Sequence, residues 1–163
     1  MPDKNLMHYI AVTGILINKE GKYLITKRAE TEKSFPGKWT VPGGKLEALD
    51  YVFRKKDTSI HWYNIFEEVL IREVFEEVGL EIGNFGYITS MAYVRSDCIP
   101  CIIVSLYAYT KDENIKLSNE LIEYAWVNLE EAKTYDLIEG IYEEIKILDN
   151  HLKSGGSINW KKE

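Results

Sequence analysis

A chain of 163 residues, 45% of them apolar and 28% charged, is long enough for one domain with a real core and too mixed in composition for a disordered or fibrous protein. Its formal charge of −6 excludes a global basic field of the kind that gathers nucleic acid, although an acidic protein still binds phosphates where cations neutralise them. No apolar run reaches bilayer-spanning length, residues 1–9 show no export signal and the two cysteines fit a reducing compartment; the expectation is a cytoplasmic protein without membrane or nucleic acid polymer partners.

Residues 8–17 are apolar and β-branched, end at the polar turn Asn18-Lys19-Glu20-Gly21, and are followed by a second strand over 23–26, so the pair reads as a hairpin. A turn-rich stretch, Ser34-Phe35-Pro36-Gly37-Lys38, leads to Trp39-Thr40-Val41 and then Pro42-Gly43-Gly44. Residues 46–64 fit no regular element; the basic run Arg54-Lys55-Lys56 reads as a solvated loop, and His61-Trp62-Tyr63 as loop or core packing with base stacking as the alternative.

Residues 64–78 predict a helix, with Asn64 as N-cap, Glu67 at the third position of a capping box, Gly79 as the residue after the C-terminus, and Ile71, Val74, Phe75 and Val78 on the apolar arc. Strands are predicted over 85–94 and 102–109 with a turn between them, a polar loop over 111–119, a short strand over 122–127, a helical turn over 129–133 and an amphipathic helix over 137–152. Cys98 and Cys101 lack the further ligands of a zinc site and lead into an apolar strand, so packing is their expected role.

The helix carries the chemistry. Glu73, Glu76 and Glu77 stand at i, i+3 and i+4, which brings three like charges onto one face near the end where the helix dipole disfavours anions. Oxygen-liganded divalent cations that also bridge phosphates would relieve that repulsion. A charged, solvated helix face is the structural alternative.

Gly43-Gly44-Lys45 together with Arg72-Glu73-Val74-Phe75-Glu76-Glu77-Val78-Gly79-Leu80 resembles the signature of the Nudix hydrolase family: Gly, five residues, Glu, seven residues, then Arg-Glu-apolar-x-Glu-Glu-x-Gly-apolar. The second half matches at every specified position, and the order of elements resembles the family over about residues 8–150. The resemblance implies an α/β Nudix fold, an α/β/α sandwich with a mixed β-sheet between helices. It places one domain at 1–153 with an insertion at about 48–63, and a tail at 154–163. There are two departures. The gap after the glycine is longer by about 14 residues, and the position of the first signature Glu holds Asn64, for which Glu47 or Asp50 are the nearby substitutes.

What the resemblance implies for the site is specific. Glu76 and Glu77 resemble the principal Mg²⁺ ligands, with Mn²⁺ as the alternative ion. Glu73 is a third ligand or the base, Gly43 adds its carbonyl, and Arg72 orients a carboxylate. Glu120, six residues before Trp126, is similar in position to a further ligand or general base of the family, with Glu123 as competitor. Arg28, Trp39, Gly44 and Lys45 are the candidates for substrate contacts; for Arg28 a surface role and for Trp39 core packing stay open. The implied reaction is hydrolysis of a diphosphate linkage in a small nucleoside diphosphate derivative, of nucleoside triphosphate or nucleotide sugar type. Phe35-Pro36-Gly37-Lys38-Trp39 is similar to a stretch of triphosphate-cleaving relatives that also occurs with other substrates. A nucleotide-binding or regulatory module without useful catalysis is the competing reading. Homodimers are common in the family.

Overall fold

The computed structural model describes residues 6–155. Seven strands, β1 (Tyr9–Ile17), β2 (Tyr23–Arg28), β3 (Trp39–Thr40), β4 (Gly43–Lys45), β5 (Ile82–Val94), β6 (Pro100–Thr110) and β7 (Leu121–Val127), form one mixed sheet. Helix α1 (Ile65–Val78) covers one face; α2 (Leu129–Ala132) and α3 (Ile141–Ser154) cover the other. This is the expected α/β/α sandwich.

The near-continuous apolar run at the start of the chain follows from its place in the sheet. β1 is central and pairs in parallel with β6 from Tyr9↔Cys101 to Ile17↔Tyr109. Alternate residues therefore enter two cores, Val12 and Leu16 beneath α1, and Ile15 and Ile17 against α3. Between them, Gly14 makes room for the helix: a β-carbon there would lie 2.6 Å from a Leu70 methyl.

β1 and β2 form the expected hairpin, but their ladder is confined to its turn end, at Ile17↔Tyr23. Further on, β1 accepts β4 (Val12↔Gly44) while β2 lies between β3 and β7. This divergence brings the two glycines of β4 alongside the middle of α1.

Three local expectations are corrected. Asn64 precedes α1 in the left-handed conformation (φ 55°) and its side chain caps nothing, so the box with Glu67 does not form; the incoming loop sets the backbone there. The buried arc of α1 is Val69, Leu70, Val74 and Val78, whereas Phe75 is 62% exposed and Ile71 is partly exposed. The face is rotated toward Glu77, which becomes one of the few buried charges. Finally, α3 starts four residues later than predicted because residues 136–138 are drawn to Trp39: its N–H donates to the Asp136 carbonyl at 3.0 Å and its carbonyl accepts from the Ile138 N–H at 2.8 Å.

The C-terminus of α1 ends as expected at Gly79, in the left-handed region (φ 71°), its N–H on the Phe75 carbonyl at 3.0 Å. Residues 46–64 form a 3₁₀ turn, Ala48–Asp50, and then irregular chain held by contacts within the loop and by ion pairs to α1. The Trp62 indole donates to the Arg54 carbonyl at 3.0 Å, and its ring packs on Tyr51 at 5.3 Å. These aromatics serve loop packing. α3 extends to Ser154, and the tail expected over 154–163 lies, from residue 156, outside the described residues, as do residues 1–5 of the stretch read for an export signal. Among the described residues no helix is long and apolar enough to cross a membrane.

Candidate active site

Glu73, Glu76 and Glu77 of α1 meet Ser118, Asn119 and Glu120 along an open cleft of about 280 Å³. The helix supplies one wall by its i, i+3, i+4 geometry. The other wall is held by backbone bonds: the Lys116 and Ser118 N–H groups donate to the Val78 and Glu77 carbonyls at 2.9 and 2.8 Å, satisfying carbonyls that the helix end leaves free. The Ala29 N–H then donates to the Glu120 carbonyl at 2.8 Å and ties this wall to the end of β2.

The three helical acids differ sharply in environment. Glu76 is exposed; Glu77 is only 8% exposed, and its Oε2 accepts from the Gly43 N–H at 3.0 Å. Burial pushes the Glu77 carboxyl up to about 8; the Gly43 N–H works against this, Glu73 and Glu120 add to it, and Arg28 opposes it. Burial also raises Glu73, against Arg72, with Glu76 and Asp50 adding to the rise.

Arg72 compensates part of the repulsion that sequence alone would leave to cations. Its Nη1 pairs with Glu73 at 2.9 Å and Glu76 at 3.1 Å, its Nε with Asp50 at 2.8 Å, and its Nη2 donates to the Lys45 carbonyl at 3.3 Å. Burial works against its charge, but the Asp50 hydrogen bond and the three carboxylates outweigh that and raise its pKa.

Gly43 and Gly44 lie beside these acids. A β-carbon on Gly44 would occupy the space of the Glu73 carboxylate, and one on Gly43 would run into the Val12 carbonyl. Arg28 stands at the end of β2, close enough for its charge to act on Glu77, and is held by Glu32 at 2.7 Å and the Ser34 carbonyl at 2.8 Å. Lys45 lies 5.9 Å over the Tyr9 ring.

Two expectations separate from the cleft. Trp39 is 9% exposed within the α3-side core, edge-on to Tyr135 at 4.7 Å, so its packing role is the one the structure carries and its ring is not a stacking platform. Glu123 pairs with Lys27 at 2.8 Å, and Glu120 is the acid that lines the cleft. Cys98 is exposed in the turn after β5 and Cys101 is buried; both are free and neither lines the cleft. Ser118 and Asn119 were invisible in the sequence because nothing in a polar loop marks which residues fold back on a helix end.

The donor set suits a hard divalent cation: carboxylates of Glu73, Glu76, Glu77 and Glu120, with no sulfur or imidazole among the lining groups. Among the described residues no three such side chains converge on one point as they stand. The ion pairs explain why: Glu73 and Glu76 turn to Arg72, and Glu77 to the Gly43 N–H. Each of these partners engages one oxygen of its carboxylate, Glu73 Oε1, Glu76 Oε2 and Glu77 Oε2, and the second oxygen of each would meet a cation with those pairs kept, so the residues fit the group.

A NUDIX domain model matches residues 7–147. The chain belongs to the Nudix family. It is 30% identical over 132 residues to the nucleoside triphosphatase NudI of Escherichia coli O17:K52:H18, and 28% identical to that of Klebsiella pneumoniae (strain 342). In each case the match spans 75% of this chain and 84% of the relative. Among solved structures, the MutT protein of Methanosarcina mazei Go1 superposes with a TM-score of 0.66 at 27% identity, covering 90% of this chain and 96% of that one. The NUDIX domain of Shewanella oneidensis NrtR, complexed with ADP ribose, gives 0.70 at 14% identity over 93% and 94%, which shows the fold. This chain is thus an enzyme of the Nudix pyrophosphohydrolase type.

Glu77 makes stability depend on pH. Its folded pKa, about 8, lies above the ordinary value of 4.5, so the native state keeps a proton that the unfolded chain releases. That contribution is complete below the unfolded pKa and is lost as pH rises through about 8; it amounts to on the order of 5 kcal/mol at most. Thermal melts in EDTA should therefore show Tm falling from about pH 5 to pH 9. Glu77→Gln should flatten most of this slope, leaving a residue from Glu73 and Glu144, which burial raises in the same sense. An unchanged slope in the variant would contradict the assignment.

Proposed function

We propose that the chain hydrolyses a phosphoanhydride bond of a small nucleotide, of nucleoside triphosphate type, with Mg²⁺ held by Glu73, Glu76 and Glu77, the Gly43 carbonyl and Glu120. The observation that carries this reading is that Glu73, Glu76, Glu77 and Glu120 line one open cleft, with the Glu73 and Glu77 side chains largely out of water. Nudix hydrolases generally use divalent metals, and relatives about 30% identical are nucleoside triphosphatases, which supports the triphosphate over a nucleotide sugar.

When bound, the cation screens the phosphate charge, lowers the pKa of a water and stabilises the leaving group. The protein's own residues do the remaining work. Arg72 holds Glu73 and Glu76 in register, Glu73 or Glu120 accepts the proton of the attacking water, and Arg28, whose Nε and Nη2 are held by Ser34 and Glu32, keeps its Nη1 for a phosphate. Because Glu77 is protonated in the empty cleft near neutral pH, cation binding should release a proton.

The test is a hydrolysis screen over nucleoside triphosphates, nucleotide sugars and dinucleoside polyphosphates with Mg²⁺, with Mn²⁺ in parallel and EDTA as control. Cation-dependent release of pyrophosphate or phosphate from a triphosphate is the expected result. Tight nucleotide binding without turnover of any member would replace the reading with that of a binding module.

A further inference from the structure

Asp50 belongs to the insertion, 22 residues before Arg72, yet its Oδ1 lies 2.8 Å from the Arg72 Nε. Its side chain is only 11% exposed, whereas Ala48 and Leu49 of the same turn are exposed. The loop fixes it in place. Asp50 Oδ2 accepts from the Glu47 N–H at 2.7 Å, the Asp50 N–H donates back to the Glu47 carbonyl at 3.0 Å, and the Val52 N–H closes the turn on the Ala48 carbonyl at 3.0 Å. Both oxygens of this carboxylate are therefore committed, one to its own loop and one to the guanidinium.

The guanidinium is the hub. With Nε on Asp50 and Nη2 on the Lys45 carbonyl, Nη1 is left to meet Glu73 and Glu76. Without Asp50 the planar fork is free to turn and take Glu76 or Glu73 bidentately, and so withdraw them from the cleft. At the start of α1 stands Asn64, which is uncharged and caps nothing.

We propose that Asp50 is a positioning residue of the active site: supplied by the insertion, it fixes the rotation of Arg72 and, through it, the cation-facing geometry of Glu73 and Glu76. The insertion is thus a structural part of the site as well as a surface loop, and displacing it changes the cation site directly.

The inference rests on the cation-dependent reading of the cleft, and its test separates the two. Mn²⁺ binding to the full chain, followed by electron paramagnetic resonance without nucleotide, is compared for wild type, Asp50→Asn, Arg72→Gln and the double variant, alongside thermal melts in EDTA. The isosteric Asp50→Asn keeps the acceptor for the Glu47 N–H and removes the charge facing Arg72. Expected are a cooperative melt at a modestly lower temperature, Mn²⁺ affinity lower by about 10–100-fold, and no further loss when Asp50→Asn is added to Arg72→Gln. In turnover assays the deficit should lie in kcat at saturating cation, with KM for nucleotide little changed, and Asp50→Glu should restore part of it. Wild-type affinity in Asp50→Asn, or additive losses in the double variant, overturns the role of Asp50. Absence of Mn²⁺ binding by the wild type overturns both the role and the reading beneath it.

Discussion

Glu77→Gln should abolish turnover, by about a thousandfold or more, while the protein stays folded. A ligand that lowers the barrier through several kcal/mol of charge stabilisation corresponds to a loss of this size when its charge is removed. The structure separates that loss from any structural cost. The Glu77 side chain makes one hydrogen bond, from the Gly43 N–H at 3.0 Å, and a glutamine oxygen accepts the same bond. The carboxyl is buried between α1, β4 and the 111–119 loop, where an amide of equal volume fits and carries no ionisation penalty. The variant should therefore melt at or above the wild-type temperature at pH 8 in EDTA, bind Mn²⁺ poorly and turn over almost nothing. Near-normal turnover at saturating Mg²⁺ would remove Glu77 from the ligand set, and loss of the cooperative melt would give it a structural role instead.

The helical acids were legible in the sequence because α-helical spacing alone places Glu73, Glu76 and Glu77 on one side of one helix. Spacing did not show how different their surroundings would be. Glu77 is buried because α1 presents Val69, Leu70, Val74 and Val78 to the sheet, with Leu70 seated over Gly14, rather than the arc with Ile71 and Phe75. The strands were legible for a similar local reason: β1 is apolar on both faces because it has a core on each. What the sequence concealed is long-range. Trp39 becomes a core residue through residues 135–138, about a hundred positions later, and Asp50 reaches Arg72 from a loop with no pattern of its own. The repulsion among the acids argued for cations from sequence alone; in the fold Arg72 pairs with Glu73 and Glu76 and burial favours the neutral form of Glu77, so repulsion is largely relieved and it is the all-oxygen donor set lining the cleft that points to a cation.

The two adjacent glycines of β4 should fail in opposite ways when each is replaced by alanine. At Gly43 the new β-carbon meets the Val12 carbonyl and the Thr13 backbone of β1. Backbone in a central strand cannot yield, so Gly43→Ala should cost stability, on the order of 2 kcal/mol or more, by forcing β4 off β1. At Gly44 the obstacle is the far end of the Glu73 side chain. That end can rotate, so the fold should lose little. The carboxylate, however, must leave the position in which Arg72 holds it at 2.9 Å, and displacement of a site group by about 1 Å is worth about a hundredfold in rate. Gly44→Ala is thus expected to melt like wild type and to lose about two orders of magnitude in kcat, with Mn²⁺ affinity reduced. Gly43→Ala should melt early, and its residual activity should track the folded fraction. Equal effects of the two substitutions on stability would mean that β4 rather than Glu73 gives way at Gly44. Full activity in Gly44→Ala would show that the present Glu73 position has no part in the reaction.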